Sequence, residues 1–232
     1  MEVCCGNIAS VRAAIEGGAD RVELCRDLEF DGLTPSREMI GEAVGLCHPA
    51  GLLVHVLIRS REGDFVYDDT EVKKMADEIG MAIAEGADGV VVGALTPGGD
   101  IDTAACRKWI DAVRQAAGDQ RRNVTFHRAF DVCDDPLEAI GQIARLGCNR
   151  ILTSGQQATA EQGIPLLRQL VEKAREISAK SGLELGILCG AGVNTHNAST
   201  ILKATGATEI HGSLCTGLVS DAEKIRLVKE AI

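Results

Sequence analysis

Short β-branched runs alternate with helical patterns from end to end of the chain. Eight runs read as strands: Met1 to Cys5, Arg21 to Cys25, Leu52 to Arg59, Gly89 to Gly93, Asn123 to Arg128, Arg150 to Ser154, Glu184 to Cys189 and Glu209 to Ser213. Most are nearly continuous in apolar residues, as in GVVVG and LGILCG, and such runs suit strands covered on both faces of a parallel sheet. The intervening segments carry helix signals. Val72, Met75, Ala76, Ile79 and Ile83 recur at three and four and form one stripe. Asp135-Pro136-Leu137-Glu138 supplies an N-cap, a first-turn proline and an early acid, with Leu137, Ile140 and Ile143 as the buried face and Gly147 as the stop. Ser220 to Glu223 reads as a capping box, and Asn7 and Asn194 as caps. The helix after the sixth run starts either near Thr159 or at Ile164, because Pro165 permits both.

A repeat orders these units. Gly18-Ala-Asp-Arg-Val-Glu-Leu, Gly86-Ala-Asp-Gly-Val-Val-Val, Gly147-Cys-Asn-Arg-Ile-Leu-Thr and Gly206-Ala-Thr-Glu-Ile-His-Gly share one pattern, a helix-ending glycine, a tight turn and a strand. The glycines are 68, 61 and 59 residues apart and introduce the even-numbered strands. A period of two βα units suits a closed eight-fold barrel, whose interior is layered by alternate strands. The pattern therefore predicts a single (β/α)₈ barrel over residues 1–232. An open doubly wound sheet is the alternative if one strand has been miscounted.

Charge and cysteine usage narrow the function classes. With 24 Lys and Arg against 34 Asp and Glu the net charge is −10, which offers no cationic surface for nucleic acid. No basic segment followed by an apolar run opens the chain, and no membrane-length apolar stretch occurs, so a cytoplasmic protein without a membrane partner is expected. The nine cysteines are then free thiols, with packing as the first reading for most of them.

Barrel chemistry sits at the carboxyl ends of the strands. Glu2, Glu23, His55, Arg59, His127, Arg128, Thr153, Ser154, His211 and Ser213 are polar groups inside otherwise apolar runs. Burying ionisable groups there is costly unless they are paired or wet, which points to a polar cavity. The competing reading is an internal ion-pair network, such as Glu23 with Arg59 or Arg128. Gly190, Gly192 and Gly212 with Ser213 follow strands seven and eight, where many barrels bind phosphate, and Arg59 and Arg128 could clamp an anion. An enzyme acting on a small phosphate- or carboxylate-bearing metabolite follows from this pattern. Glu2 or Glu23 would be its base and His127 or His211 its acid. Two arginines nearby would lower the Glu23 pKa. The loop Ser60 to Asp69 could be a lid, or an ordered loop packing Phe65 and Tyr67. Closure of a barrel also brings Cys4 or Cys5, Cys25, Cys189 and Cys215 to one sector of one rim, where thiolates would suit a soft ion such as Cu(I); the alternative is separate buried cysteines that never meet.

Glu2-Val-Cys4, Gly17 to Cys25, Gly32-Leu-Thr-Pro-Ser36, Gly63-Asp-Phe-Val-Tyr67, Phe126-His-Arg-Ala-Phe-Asp131, Arg150 to Gly155 and Glu209-Ile-His-Gly-Ser213 together resemble the CutC family of copper homeostasis proteins. The resemblance implies a cytoplasmic TIM barrel, a homo-oligomer and copper binding through cysteines. It carries the family's motif positions onto Glu2, Glu23, Arg59, His127, Arg128 and His211. Two segments depart from it: Cys189-Gly-Ala-Gly192 stands where the family commonly has Ala-Gly-Gly-Gly, and Ile58-Arg-Ser-Arg61 where it has Ile-Arg-Pro-Arg.

Overall fold

A computed structural model describes residues 1–232. Eight parallel strands close into a barrel in sequence order. They are β1 (Glu2–Cys5), β2 (Arg21–Leu24), β3 (Leu53–Leu57), β4 (Gly89–Val92), β5 (Asn123–Phe126), β6 (Arg150–Thr153), β7 (Gly186–Cys189) and β8 (Glu209–Gly212). The seam pairs β1 with β8 through Glu2 opposite His211 and Val3 opposite Gly212. The helices are α1 (Ile8–Glu16), α2 (Arg37–Cys47), α3 (Asp69–Ala84), α4 (Thr103–Ala117), α5 (Pro136–Leu146), α6 (Ile164–Ser181), α7 (Ala198–Thr205) and α8 (Ala222–Ala231). A small hairpin of β9 (Cys215–Thr216) and β10 (Val219–Ser220) precedes α8.

Period-two alternation on each strand divides the apolar residues into two sets. Val3, Val22, Val54, Val90, Phe126, Ile151, Ile187 and Ile210 join the helices in one large core. Cys4, Cys25, Leu57 and Val91 form a separate small cluster. Trp109, fully buried on α4, donates its Nε1–H to Val72 O at 3.0 Å and meets Tyr67 edge-on. The four repeat glycines, Gly18, Gly86, Gly147 and Gly206, all have φ between 73 and 107°. That left-handed backbone is what selects glycine there.

The local expectations hold with three corrections, and one open choice is resolved. Leu137 is 42% exposed, and Ala139, Ile140, Ile143 and Ala144 form the buried face of α5. The α8 cap is Asp221, which accepts from the Glu223 and Lys224 N–H groups, while Ser220 belongs to β10. Asn194 does not cap a helix, since α7 begins four residues later at Ala198 and Asn194 Oδ1 accepts only from His196 N–H. The start of α6 is Ile164, with Pro165 in its first turn, where its missing N–H has no helical partner to lose.

Candidate functional site

Polar side chains occupy the barrel interior at three levels. At the amino ends of the strands, Arg21 Nε donates to Glu2 Oε2 at 2.5 Å and Arg21 Nη2 to Glu209 Oε2 at 2.6 Å. Arg150 Nε donates to Glu209 at 2.9 Å. Two carboxylates thus balance two guanidiniums. Burial alone would raise the Glu2 carboxyl, but Arg21 and His211 overcome it and hold Glu2 well below the usual carboxylate range. Buried His55 lies 3.6 Å from Glu2 with both ring nitrogens unbonded, and burial lowers its pKa to about 4. An internal network therefore exists, but with Arg21 and Arg150 in place of Arg59 and Arg128. It engages Glu2, and its position at the amino end of the barrel is the stabilising end of this fold.

One level up, Cys4, Glu23 and His211 bring their ligating atoms within 4.8 Å of one another. Cys25 Sγ is 3.8 Å from Cys4 Sγ. His211 bridges the levels, with Nδ1 2.8 Å from Glu2 Oε1 and Nε2 3.7 Å from Glu23 Oε2. Burial opposes its protonation, yet Glu23 and Glu2 together raise its pKa. Glu23 is also raised, because burial outweighs the lowering by His211, with Glu2 adding to the rise; the expected lowering fails because neither Arg59 nor Arg128 reaches it. The hydrogen bond with Cys25, then burial, raises Cys4 well above a free thiol.

Alternation separates the other two candidate thiols. Cys189 packs outward in the main core, and burial pushes its thiol up to about 12. Cys215 sits in β9, where its thiol donates to Ser213 O at 3.6 Å. The structure brings Cys4 and Cys25 together and leaves Cys189 and Cys215 elsewhere.

At the carboxyl ends a cavity of about 310 Å³ opens. Cys4, Glu23 and His211 lie on it with Arg59, His127 and Arg128, and with Phe65, Asp131, Leu28 and Val132. His127 Nδ1 accepts from Ala129 N–H at 3.1 Å, so the ring proton sits on Nε2, which has no partner. Burial, then Arg59, lowers its pKa to about 3 and keeps it neutral. Phe65 stacks 5.0 Å from that ring and 5.3 Å from the Arg59 guanidinium. Arg59 donates to the carbonyls of Phe30, Gly32 and Gly63, meets no carboxylate, and leaves Nε unbonded. Arg128 pairs with Asp131 at 2.7 Å and remains 46% exposed at the rim.

The glycine corner lies off this cavity. A Cβ on Gly192 would stand 2.9 Å from Thr159, and Ala160 N–H donates to Ala191 O, so the segment after β6 covers the turn. Gly190 is backed by Leu152 and Gly212 by Val193. Ser213 is absent from the cavity lining, and Ser154 Oγ is held by Asp131 and Gln157 O. The 60–69 loop is tied down by Arg61, which bonds Asp64, Val66 O and Glu71, and by Leu95 N–H to Phe65 O. Of its two readings, the ordered loop with packed aromatics describes it, and Phe65 forms part of the cavity wall.

Sequence reasoning passed over Arg21, Arg150 and Glu209 because they open their strands, away from the end where chemistry was sought. Asp131, three residues after Arg128, was also missed; it accepts from Thr153 Oγ1, Ser154 N–H and Gln156 N–H and fixes the turn after β6.

Comparison with known proteins agrees with this architecture. A CutC family protein of Pasteurella multocida is 44% identical over 211 residues, 91% of this chain and 80% of that one. One of Bacteroides thetaiotaomicron is 47% identical over 221 residues, 95% and 83% of the two chains. The crystal structure of the candidate copper homeostasis protein CutC of Streptococcus agalactiae superposes with a TM-score of 0.82 at 34% identity, covering 91% of this chain and 97% of that one. A thiamine phosphate pyrophosphorylase of Pyrococcus furiosus shares only the barrel fold, with a TM-score of 0.63 at 18% identity over 99% of this chain and 93% of that one. The CutC family model itself matches residues 1–216, and the chain belongs to the CutC family.

Proposed function

We propose that this protein serves copper homeostasis by holding Cu(I) inside the barrel between Cys4 and Cys25, with copper as its cargo. The observation that carries the reading is the 3.8 Å separation of the two sulfurs, close enough for one ion to reach both at about 2.3 Å, a usual metal–thiolate length. Soft thiolates favour Cu(I) over hard cations, and His211 and Glu23 offer a further donor. Cys4 lies on the cavity, which supplies a route from solvent. All nine cysteines are free, consistent with action in the reducing cytoplasm.

Binding must release the thiol proton of Cys4, whose pKa is raised, so Cu(I) affinity rises with pH, up to about tenfold per unit for each proton released. The test is an anaerobic Cu(I) titration of the reduced protein against a competing chelator. Cys4→Ser and Cys25→Ser should each abolish tight stoichiometric binding, and Cys189→Ser should leave it intact. Equal binding by all three variants, or binding no tighter than that of unrelated thiol proteins, would overturn the assignment.

A further inference from the structure

The cavity contains two polar groups that copper binding does not use. His127 is 5% exposed and its Nε2–H has no acceptor. The tautomer is not free to change, because Nδ1 is occupied by Ala129 N–H. Arg59, also 5% exposed, has an unbonded Nε and no carboxylate partner. A buried donor left unsatisfied is costly, and here two such donors flank the same phenyl ring, Phe65. Arg128, ion-paired with Asp131 at 2.7 Å, adds a half-exposed guanidinium at the rim. Asp131 already balances Arg128, and Glu23 and Asp31 also line the cavity, but no carboxylate meets Arg59; the groups left without a partner are donors, so the complementary ligand is anionic and carries a further acceptor oxygen for a neutral N–H.

Size and position restrict it further. A cavity of about 310 Å³ holds about ten water-sized volumes, enough for a small metabolite only. The corner where barrels of this kind bind phosphate is covered by Thr159 and Ala160, and none of its glycines lies on the cavity. A carboxylate is recognised by guanidinium groups without an array of backbone N–H donors.

We propose that the barrel mouth is a binding site for a small 2-oxo carboxylate, its carboxylate held by Arg128 and Arg59 and its keto oxygen accepting from His127 Nε2–H. The neutral, orientation-locked imidazole polarises that carbonyl. This assignment is independent of copper, since neither His127 nor Arg128 belongs to the Cys4–Cys25 pair.

The experiment is ¹³C NMR of [2-¹³C]pyruvate and 2-oxobutyrate titrated into the full reduced chain, with propionate and inorganic phosphate as comparison probes. Binding should move the keto carbon downfield, and both oxo acids should bind more tightly than propionate or phosphate. His127→Phe keeps a ring against Phe65 but removes the N–H; it should weaken binding about tenfold and abolish the downfield shift. His127→Gln, which restores an N–H at similar reach, should recover part of both. Arg128→Ala should lose about ten- to a hundredfold in affinity. Trp109 fluorescence checks that each variant is folded. Cys25→Ser, a change at a residue off the cavity lining, should still bind the oxo acid, which separates this site from the copper reading. Phosphate binding more tightly than the oxo acids, no binding at millimolar concentration, or a shift that survives in His127→Phe would overturn the proposal.

Discussion

Replacing Glu2 by Gln keeps the volume of the side chain and removes one buried charge. In the native barrel Glu2 and Glu209 balance Arg21 and Arg150. After the change, Glu209 alone faces two guanidiniums, and His211 loses the carboxylate 2.8 Å from its Nδ1. Breaking a buried ion pair on one side costs about 3–5 kcal/mol, because the remaining charge is left uncompensated. For a chain of this size each kcal/mol lowers Tm by about 2–4 °C, so Glu2→Gln should melt about 6–20 °C below the parent. The single, fully buried Trp109 reports the transition by fluorescence, and circular dichroism checks that both signals coincide. The double change Glu2→Leu with Arg21→Met removes one charge of each sign and leaves Arg150 paired with Glu209. It should therefore lose less than the single variant. A Tm within 2 °C of the parent for Glu2→Gln, or a double variant less stable than the single one, would refute the view that charge balance governs this layer.

Acid should destabilise the barrel in a defined window. His55 and His127 fold with pKa values lowered to about 4 and about 3 from 6.5. Their stabilisation is complete above pH 6.5 and falls as pH drops through that value, by up to about 1.4 kcal/mol per unit for each histidine. Urea midpoints measured from pH 7 to 4.5 should decline, and less steeply in His55→Asn. A Cβ on Gly93 would lie 2.5 Å from His127 Cε1 and Nδ1, so Gly93→Ala should displace the ring and weaken 2-oxobutyrate binding as His127→Phe does, read by the same NMR titration. Ala191 has φ of 77° at a position where the family commonly carries glycine; Ala191→Gly should relieve left-handed strain and raise stability by about 0.5–1 kcal/mol in a urea melt.

The barrel was legible because its evidence is repetitive: each βα unit carries the same glycine stop and apolar run, and the left-handed φ of Gly18, Gly86, Gly147 and Gly206 explains the repeat. Six of the residues singled out for chemistry, Cys4, Glu23, Arg59, His127, Arg128 and His211, line one cavity. They were visible as polar residues interrupting apolar strands. Cys189 was misplaced because proximity to a strand end says nothing about which face a residue takes; its neighbour Gly190, whose Cβ would meet Leu152 and His211, holds the inward position. The glycine corner failed for another reason. Only the path of the segment from Gly155 to Gly163, which a Cβ at Gly163 would drive into Ser154 O at 1.7 Å, determines that the corner is covered, and no local motif encodes that path. Partner choice was equally non-local, since Arg21 finds Glu209 across 188 residues.

The β1–β8 seam bears on how the chain assembles. Glu2 meets His211 across 209 residues, Ser220 N–H meets Ser10 Oγ across 210, and Asn7 reaches Leu218 O across 211. A polypeptide emerging amino terminus first must hold β1 without its closing neighbour until the 209 positions from Glu2 to His211 have been made. Contacts so distant in sequence are formed late and slow the search for the native state. Until His211 arrives, the Glu2 carboxylate has reason to stay hydrated, which keeps the half-made barrel open. Burial of that carboxylate and closure of the ring then become a single event.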